Sequence, residues 1–193
     1  MRNEIPFVLM EAMRLLKVLL ISFLVVFGAV VGIGYLLPSD WEVERSVIIK
    51  APREKIYPYL VSFKYGWPQW SSFDFEDPDI QFSYAGPDEG VGAERYWLSE
   101  HGNGSQKITK ANPEEGIEFE IRMDNTDFVL YGEIRFDPTT DGTKVTWRDW
   151  GHVGKNPFYR YMAFSMDKMM GDTFEKSLAN LKTKVESTPL SSQ

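Results

Sequence analysis

Asp149 is the residue whose type and position come nearest to chemistry in this sequence. It follows Val145 and Trp147 at a spacing of two, so on an extended strand its carboxylate points to the side of those two apolar groups. A carboxylate taken out of water has a raised pKa, and a proton held near neutrality can serve as a general acid or base. Two other arrangements stay open: the strand ends before Asp149, or the group pairs with Arg148 or a backbone amide. The two histidines offer less. His101 sits in the loop His101-Gly102-Asn103-Gly104 as a solvated turn residue, and His152 follows the last strand beside Gly151 in a structural or surface role. Gln106 shares a face with Ile108, so its amide points either into the interior or along a sheet edge. The sequence contains no G-x-S-x-G, H-E-x-x-H, P-loop or dinucleotide fingerprint. No catalytic residue, metal ligand or cofactor is therefore assigned.

Composition narrows the classes further. The absence of cysteine removes thiolate catalysis, disulfide scaffolds and Cys-based zinc sites. Two histidines are too few for a multi-histidine metal centre. A net charge of −7 argues against nucleic acid as a partner. The balance of 43% apolar and 25% charged residues is that of a globular chain. Aromatic residues reach 15%, which points to a large apolar interior or lining rather than to a catalytic centre.

The elements that would position this lining follow from periodicity. Trp41 to Lys50 alternates and reads as a strand. Pro52 opens a short helix, which Pro58 and Gly66 limit. Trp67-Pro68-Gln69-Trp70 reads as a second short turn of helix. Six strands follow at the spacing of an antiparallel meander. In the clearest of them, Phe119 and Ile121 face inward opposite Glu118, Glu120 and Arg122, Phe128 and Leu130 opposite Val129 and Tyr131, and Val145 and Trp147 opposite Lys144, Thr146 and Arg148. Asn156-Pro157 caps and starts a long helix. Its stripe runs Phe158, Met162, Met166, Met169, Met170, Phe174, Leu178, Leu181, Val185. Gly171 within it marks a bend or a close approach to the sheet. The expected apolar site is lined by Phe119, Ile121, Phe128, Leu130, Trp147, Met162, Met166 and Met169, with Asp149 as its polar member. Trp70, Phe82, Tyr84 and Trp97 join it from segments whose faces alternation does not fix.

Val18 to Leu37 carries no charge, and fourteen of its residues are Leu, Ile, Val or Phe. At 1.5 Å per residue it reaches about 30 Å, one hydrocarbon thickness, and insertion gains on the order of 4–8 kcal/mol. The run is longer than a signal-peptide core, and Tyr35-Leu36-Leu37-Pro38 is a poor cleavage site. The reading is an N-terminal segment 1–17, a transmembrane helix 18–37, a domain 39–186 and a flexible tail 187–193. Arg14 and Lys17 before the span, against Asp40, Glu42 and Glu44 after it, place the N-terminus in the cytoplasm and the domain on the outer side. An interfacial helix from Ile5 to Leu16 leading into the membrane, and a true start at Met13, are the alternatives.

From Trp41 to Lys182 the order of elements resembles the helix-grip fold of the START and birch-pollen-allergen superfamily, also called SRPBCC. Local patterns resemble its polyketide cyclase/dehydrase and lipid-transport branch: Val47-Ile48-Ile49-Lys50-Ala51-Pro52, Trp67-Pro68-Gln69-Trp70-Ser71, Gly90-Val91-Gly92-Ala93, Gly142-Thr143-Lys144-Val145-Thr146-Trp147 and Phe174-Glu175-Lys176-Ser177-Leu178-Ala179-Asn180-Leu181-Lys182. The apolar N-terminal run is similar to that of membrane-anchored bacterial members. The resemblance implies an α+β fold in which a curved antiparallel seven-stranded sheet grips the long C-terminal helix. It also implies a cavity for a lipid or other small hydrophobic molecule. A cyclase- or dehydratase-like enzyme using Asp149 or a histidine, and a protein-interaction module with a filled core, are the other classes. Protein partners are not specified by the sequence.

Overall fold

A computed structural model describes residues 7–100, 102–124 and 126–188. His101, Asn125 and the tail from residue 189 lie outside them. The element order is α1 (Phe7–Leu36), β1 (Asp40–Ile49), α2 (Arg53–Leu60), a 3-10 turn (Trp67–Gln69), α3 (Phe73–Glu76), β2 (Gln81–Ala85), β3 (Glu94–Leu98), β4 (Gly104–Asn112), β5 (Gly116–Met123), β6 (Val129–Thr139), β7 (Gly142–His152) and α4 (Pro157–Ser187). α1 runs as one continuous helix from Phe7 through Arg14 and Lys17 into the apolar run. α3 is an element that no periodicity announced, because four residues are too few to show one.

All seven strands form one antiparallel sheet, ordered β1-β7-β6-β5-β4-β3-β2. Alternation makes one face apolar, and pairing aligns those residues into rows across the strands. One row crosses the whole sheet: Tyr84, Arg95, Gln106, Ile121, Leu130, Gly151, Trp41. The next is Ile108, Phe119, Gly132, Asp149, Val43, and the third Ile117, Ile134, Trp147, Arg45.

Helix α4 covers this face. The Asn156 side chain accepts from the Phe158 amide and starts it. Ala163, Met166, Phe174, Leu178, Leu181 and Val185 are buried against the sheet. The Arg45 guanidinium crosses α4 at Gly171, where a Cβ would lie 2.1 Å from Nη2. It reaches Asp167 at 2.7 Å on one side and Glu175 at 2.8 Å on the other. Gly171 is thus the close approach that the sequence left open beside a bend.

The centre of the grip is aromatic. Trp147 stacks on Phe174 at 4.1 Å between ring centroids, and Trp67 meets Phe119 edge-on at 5.6 Å. Trp70 and Trp67 each lie 5.5 Å from Trp147. Their indole N–H groups donate to the carbonyls of Tyr59 and Leu60, both at 2.8 Å. Each ring buried this way gains about 1.5–3 kcal/mol.

Candidate ligand-binding site

β7 continues past Asp149 to His152, so alternation holds and the carboxylate is inside, 2% exposed. Arg148 turns the other way to Glu42 at 2.7 Å. Asp149 instead accepts at Oδ1 from Trp147 Nε1 at 2.8 Å. Burial pushes its pKa up to about 8, and the single indole hydrogen bond pulls only weakly the other way. Its neighbour in the row, Gly132, makes the niche. A Cβ there would lie 2.4 Å from Oδ1 of Asp149 and 2.1 Å from the Phe119 ring.

A second polar group lies in the adjoining row. The Trp41 indole N–H is buried with no protein acceptor. An unmet buried donor costs about 1–3 kcal/mol. Gly151 lets Trp41 Nε1 and Leu130 Cδ2 close over it, at 3.0 and 2.8 Å from where its Cβ would stand. The arrangement brings an apolar wall, a free N–H and, one row away, a carboxyl group that keeps its proton near neutral pH. Hydrophobic pockets fix ligands with this kind of sparse polar set.

The residues expected to line the site divide into four groups. Trp70, Phe119, Trp147 and Met166 belong to the packed centre. Ile121, Phe128 and Leu130 are half-buried at one end of the grip. There the Phe128 ring meets Tyr159 of α4 edge-on at 5.3 Å. Phe82, Tyr84 and Trp97 lie at the far edge, on β2 and β3. Met162 and Met169 are 39% and 63% exposed, on a strip beside the buried one. The sheet accepts Ala163, Met166 and Phe174, and the adjacent strip is left facing outward.

Alternation did not reveal the buried cation at the far edge. Arg95 of β3 is 5% exposed. It donates to Asp74 of α3 at 2.8 Å and to Gln106 at 2.9 Å. Its guanidinium also lies 4.7 Å from the Trp67 ring centroid and 5.3 Å from that of Phe82. Of the two positions open to Gln106, the interior is the one it takes. His152 stays at the surface, 2.9 Å from Asp40. Two surface clefts lie apart from the half-buried end. One of about 100 Å³ is bounded by Phe63, Tyr84 and Pro87, and one of about 370 Å³ by Tyr59, Tyr65 and Gln69.

Comparison with known proteins agrees with this architecture. Protein CV1439 from Chromobacterium violaceum is 16% identical, with a TM-score of 0.55 over 76% of this chain and 98% of its own. A protein of unknown function from Staphylococcus aureus, SA2116, is 16% identical, with a TM-score of 0.57 over 77% and 94%. The di-domain ARO/CYC protein StfQ of the steffimycin biosynthetic pathway is 12% identical, with a TM-score of 0.56 over 76% of this chain and 51% of its own. These likenesses concern the fold. No curated protein sequence matches the chain. The family described as polyketide cyclase/dehydrase and lipid transport matches residues 40–186. By that match, and by a helix-grip sheet carrying its aromatic core, the chain belongs to the polyketide cyclase/dehydrase and lipid-transport family of the SRPBCC superfamily.

Proposed function

We propose that this protein is a membrane-tethered module that binds a lipid or other small hydrophobic molecule at the half-buried end of its grip. Family membership supports a ligand-binding domain. The observation that carries the finer reading is the Trp41 N–H, buried without an acceptor beside Leu130. A ligand carbonyl or hydroxyl that accepted from it would relieve its desolvation cost, while the ligand chain covered Ile121, Phe128 and Leu130. Each CH₂ sequestered gains about 0.8 kcal/mol, so affinity needs no covalent step. The tether is α1, whose stretch Leu9–Leu36 is long and apolar enough to cross a bilayer. The cations Arg14 and Lys17 argue for an inside N-terminus and an outside domain.

Because aromatic rings fill the centre, this reading places binding at the half-buried end. The raised pKa of Asp149 favours a second reading, acid–base catalysis on a bound ligand. Photocrosslinking with a diazirine fatty acid in membranes holding the full chain tests the first. Adducts are expected on peptides containing Ile121 to Leu130 and Tyr159 to Met170, with lower yield in Trp41→Phe. Adducts confined to α1 would show lipid contact by the anchor alone and remove the binding reading.

A further inference from the structure

We infer that the first four turns of α4 lie in the headgroup–acyl boundary of the bilayer, so that the domain is docked on the membrane with its ligand-binding end facing lipid. This rests on the reading of α1 as the membrane span. Phe158, Met162, Ser165 and Met169 recur at helical spacing and share one strip of α4. Phe158 is 51% exposed and Met169 63%, and Phe164 on the flank is 69% exposed. Contiguous large apolar side chains of this kind mark an interaction surface.

Contacts with α1 identify the cover. Tyr161 Oη donates to the Val30 carbonyl at 2.6 Å, and the rings of Phe27 and Phe158 lie 6.4 Å apart. Gly34 admits Pro157 and Tyr161, where a Cβ would meet them at 2.7 and 3.0 Å. Val30 precedes the end of α1 by about 9 Å, and Phe27 by about 13 Å. A span that uses the apolar run up to Leu36 therefore carries the Phe158 and Tyr161 side chains about 9–13 Å below its end, among the acyl chains beneath the headgroups. The polar groups at this end suit that depth. Arg160 Nη1 donates to the carbonyls of Tyr35 at 2.8 Å and Leu37 at 3.2 Å, closing the negative end of α1. A second copy is the other conceivable cover, but it would have to enter lipid to reach a strip held at this depth. Tyr159 and Phe128, at the ligand-binding end, stand next to the strip. A lipid would pass from bilayer to site without crossing water.

The chain has no cysteine, so single thiols report cleanly. Four full-length variants, Phe23→Cys, Met162→Cys, Met169→Cys and Lys184→Cys, would each carry an environment-sensitive fluorophore. They would be reconstituted in phosphatidylcholine vesicles with and without acyl-chain nitroxide lipid. The probes at Phe23, Met162 and Met169 are expected to lose most of their fluorescence to the nitroxide, and the probe at Lys184 to keep it. Quenching at Phe23 with either Met162 or Met169 left bright overturns the docking while sparing the span. A bright probe at Phe23 overturns the span, and the docking with it.

Discussion

Asp149→Asn is expected to remove a fall in stability between pH 5 and pH 7 that the unaltered protein shows. The folded pKa of about 8 lies above the ordinary 3.8. Between those values the folded state keeps a proton that the unfolded chain has released. Stability from this group is therefore fully present below about pH 4 and is lost as pH rises toward 8. The slope reaches about 1.4 kcal/mol per pH unit, so the loss between pH 5 and pH 7 is on the order of 3 kcal/mol. Asparagine keeps an acceptor for Trp147 Nε1 and does not titrate. Urea unfolding of both proteins in detergent should give pH–stability curves that diverge by that amount. Parallel curves would mean that Asp149 is ionised in the folded state. Glu42 and Asp167, whose pKa values are lowered by Arg148 and Arg45, change stability only in the acid range, where their protonation frees those arginines. Their contribution cancels in the comparison. The same variant bears on the catalytic reading, which requires loss of any turnover with it.

The second large effect belongs to Asp74→Ala. Its side chain and that of Arg95 are 4% and 6% exposed. Removing the carboxylate leaves a guanidinium buried among rings with Gln106 as its remaining polar side-chain partner. Breaking a buried pair on one side costs about 3–5 kcal/mol, whereas replacing both partners with apolar groups is often near neutral. Asp74→Leu combined with Arg95→Met should therefore recover most of what Asp74→Ala loses in the same unfolding assay. A single variant as stable as the parent would show that Arg95 escapes to solvent when unpaired. α3 would then move easily, because this ion pair ties it to β3.

These two sites differ in how far local pattern exposes them. Asp149 was legible because apolar and polar residue types alternate along β6 and β7: Glu133 and Arg135 are half-exposed while Ile134 and Phe136 are buried, and the parity of Val145 and Trp147 carries to Asp149 although Thr146 between them is buried as well. Arg95 was not, because a charge on the inward face reads as an outward residue until its partner is known. That partner, on α3, belongs to an element without periodicity. The length and cap of α4 followed from Asn156-Pro157 and the apolar spacing. The placing of its methionines did not. Met166 and Met162 are four apart and sit on neighbouring strips, both apolar. Spacing alone cannot say which strip the sheet takes when α1 leans on the same helix. Gly171 announced a close approach, but the group that uses it, Arg45, comes from a strand more than a hundred residues earlier.

Native mass spectrometry of the full chain, released gently from detergent or nanodiscs, tests hydrophobic ligand binding most directly. A species above the 22.3 kDa chain by the mass of one lipid-sized molecule is expected. That species should survive activation sufficient to strip detergent and should weaken when Trp41→Phe removes the buried donor. A spectrum holding the bare chain alone, under conditions where a known lipid-binding protein keeps its ligand, would rule out such binding.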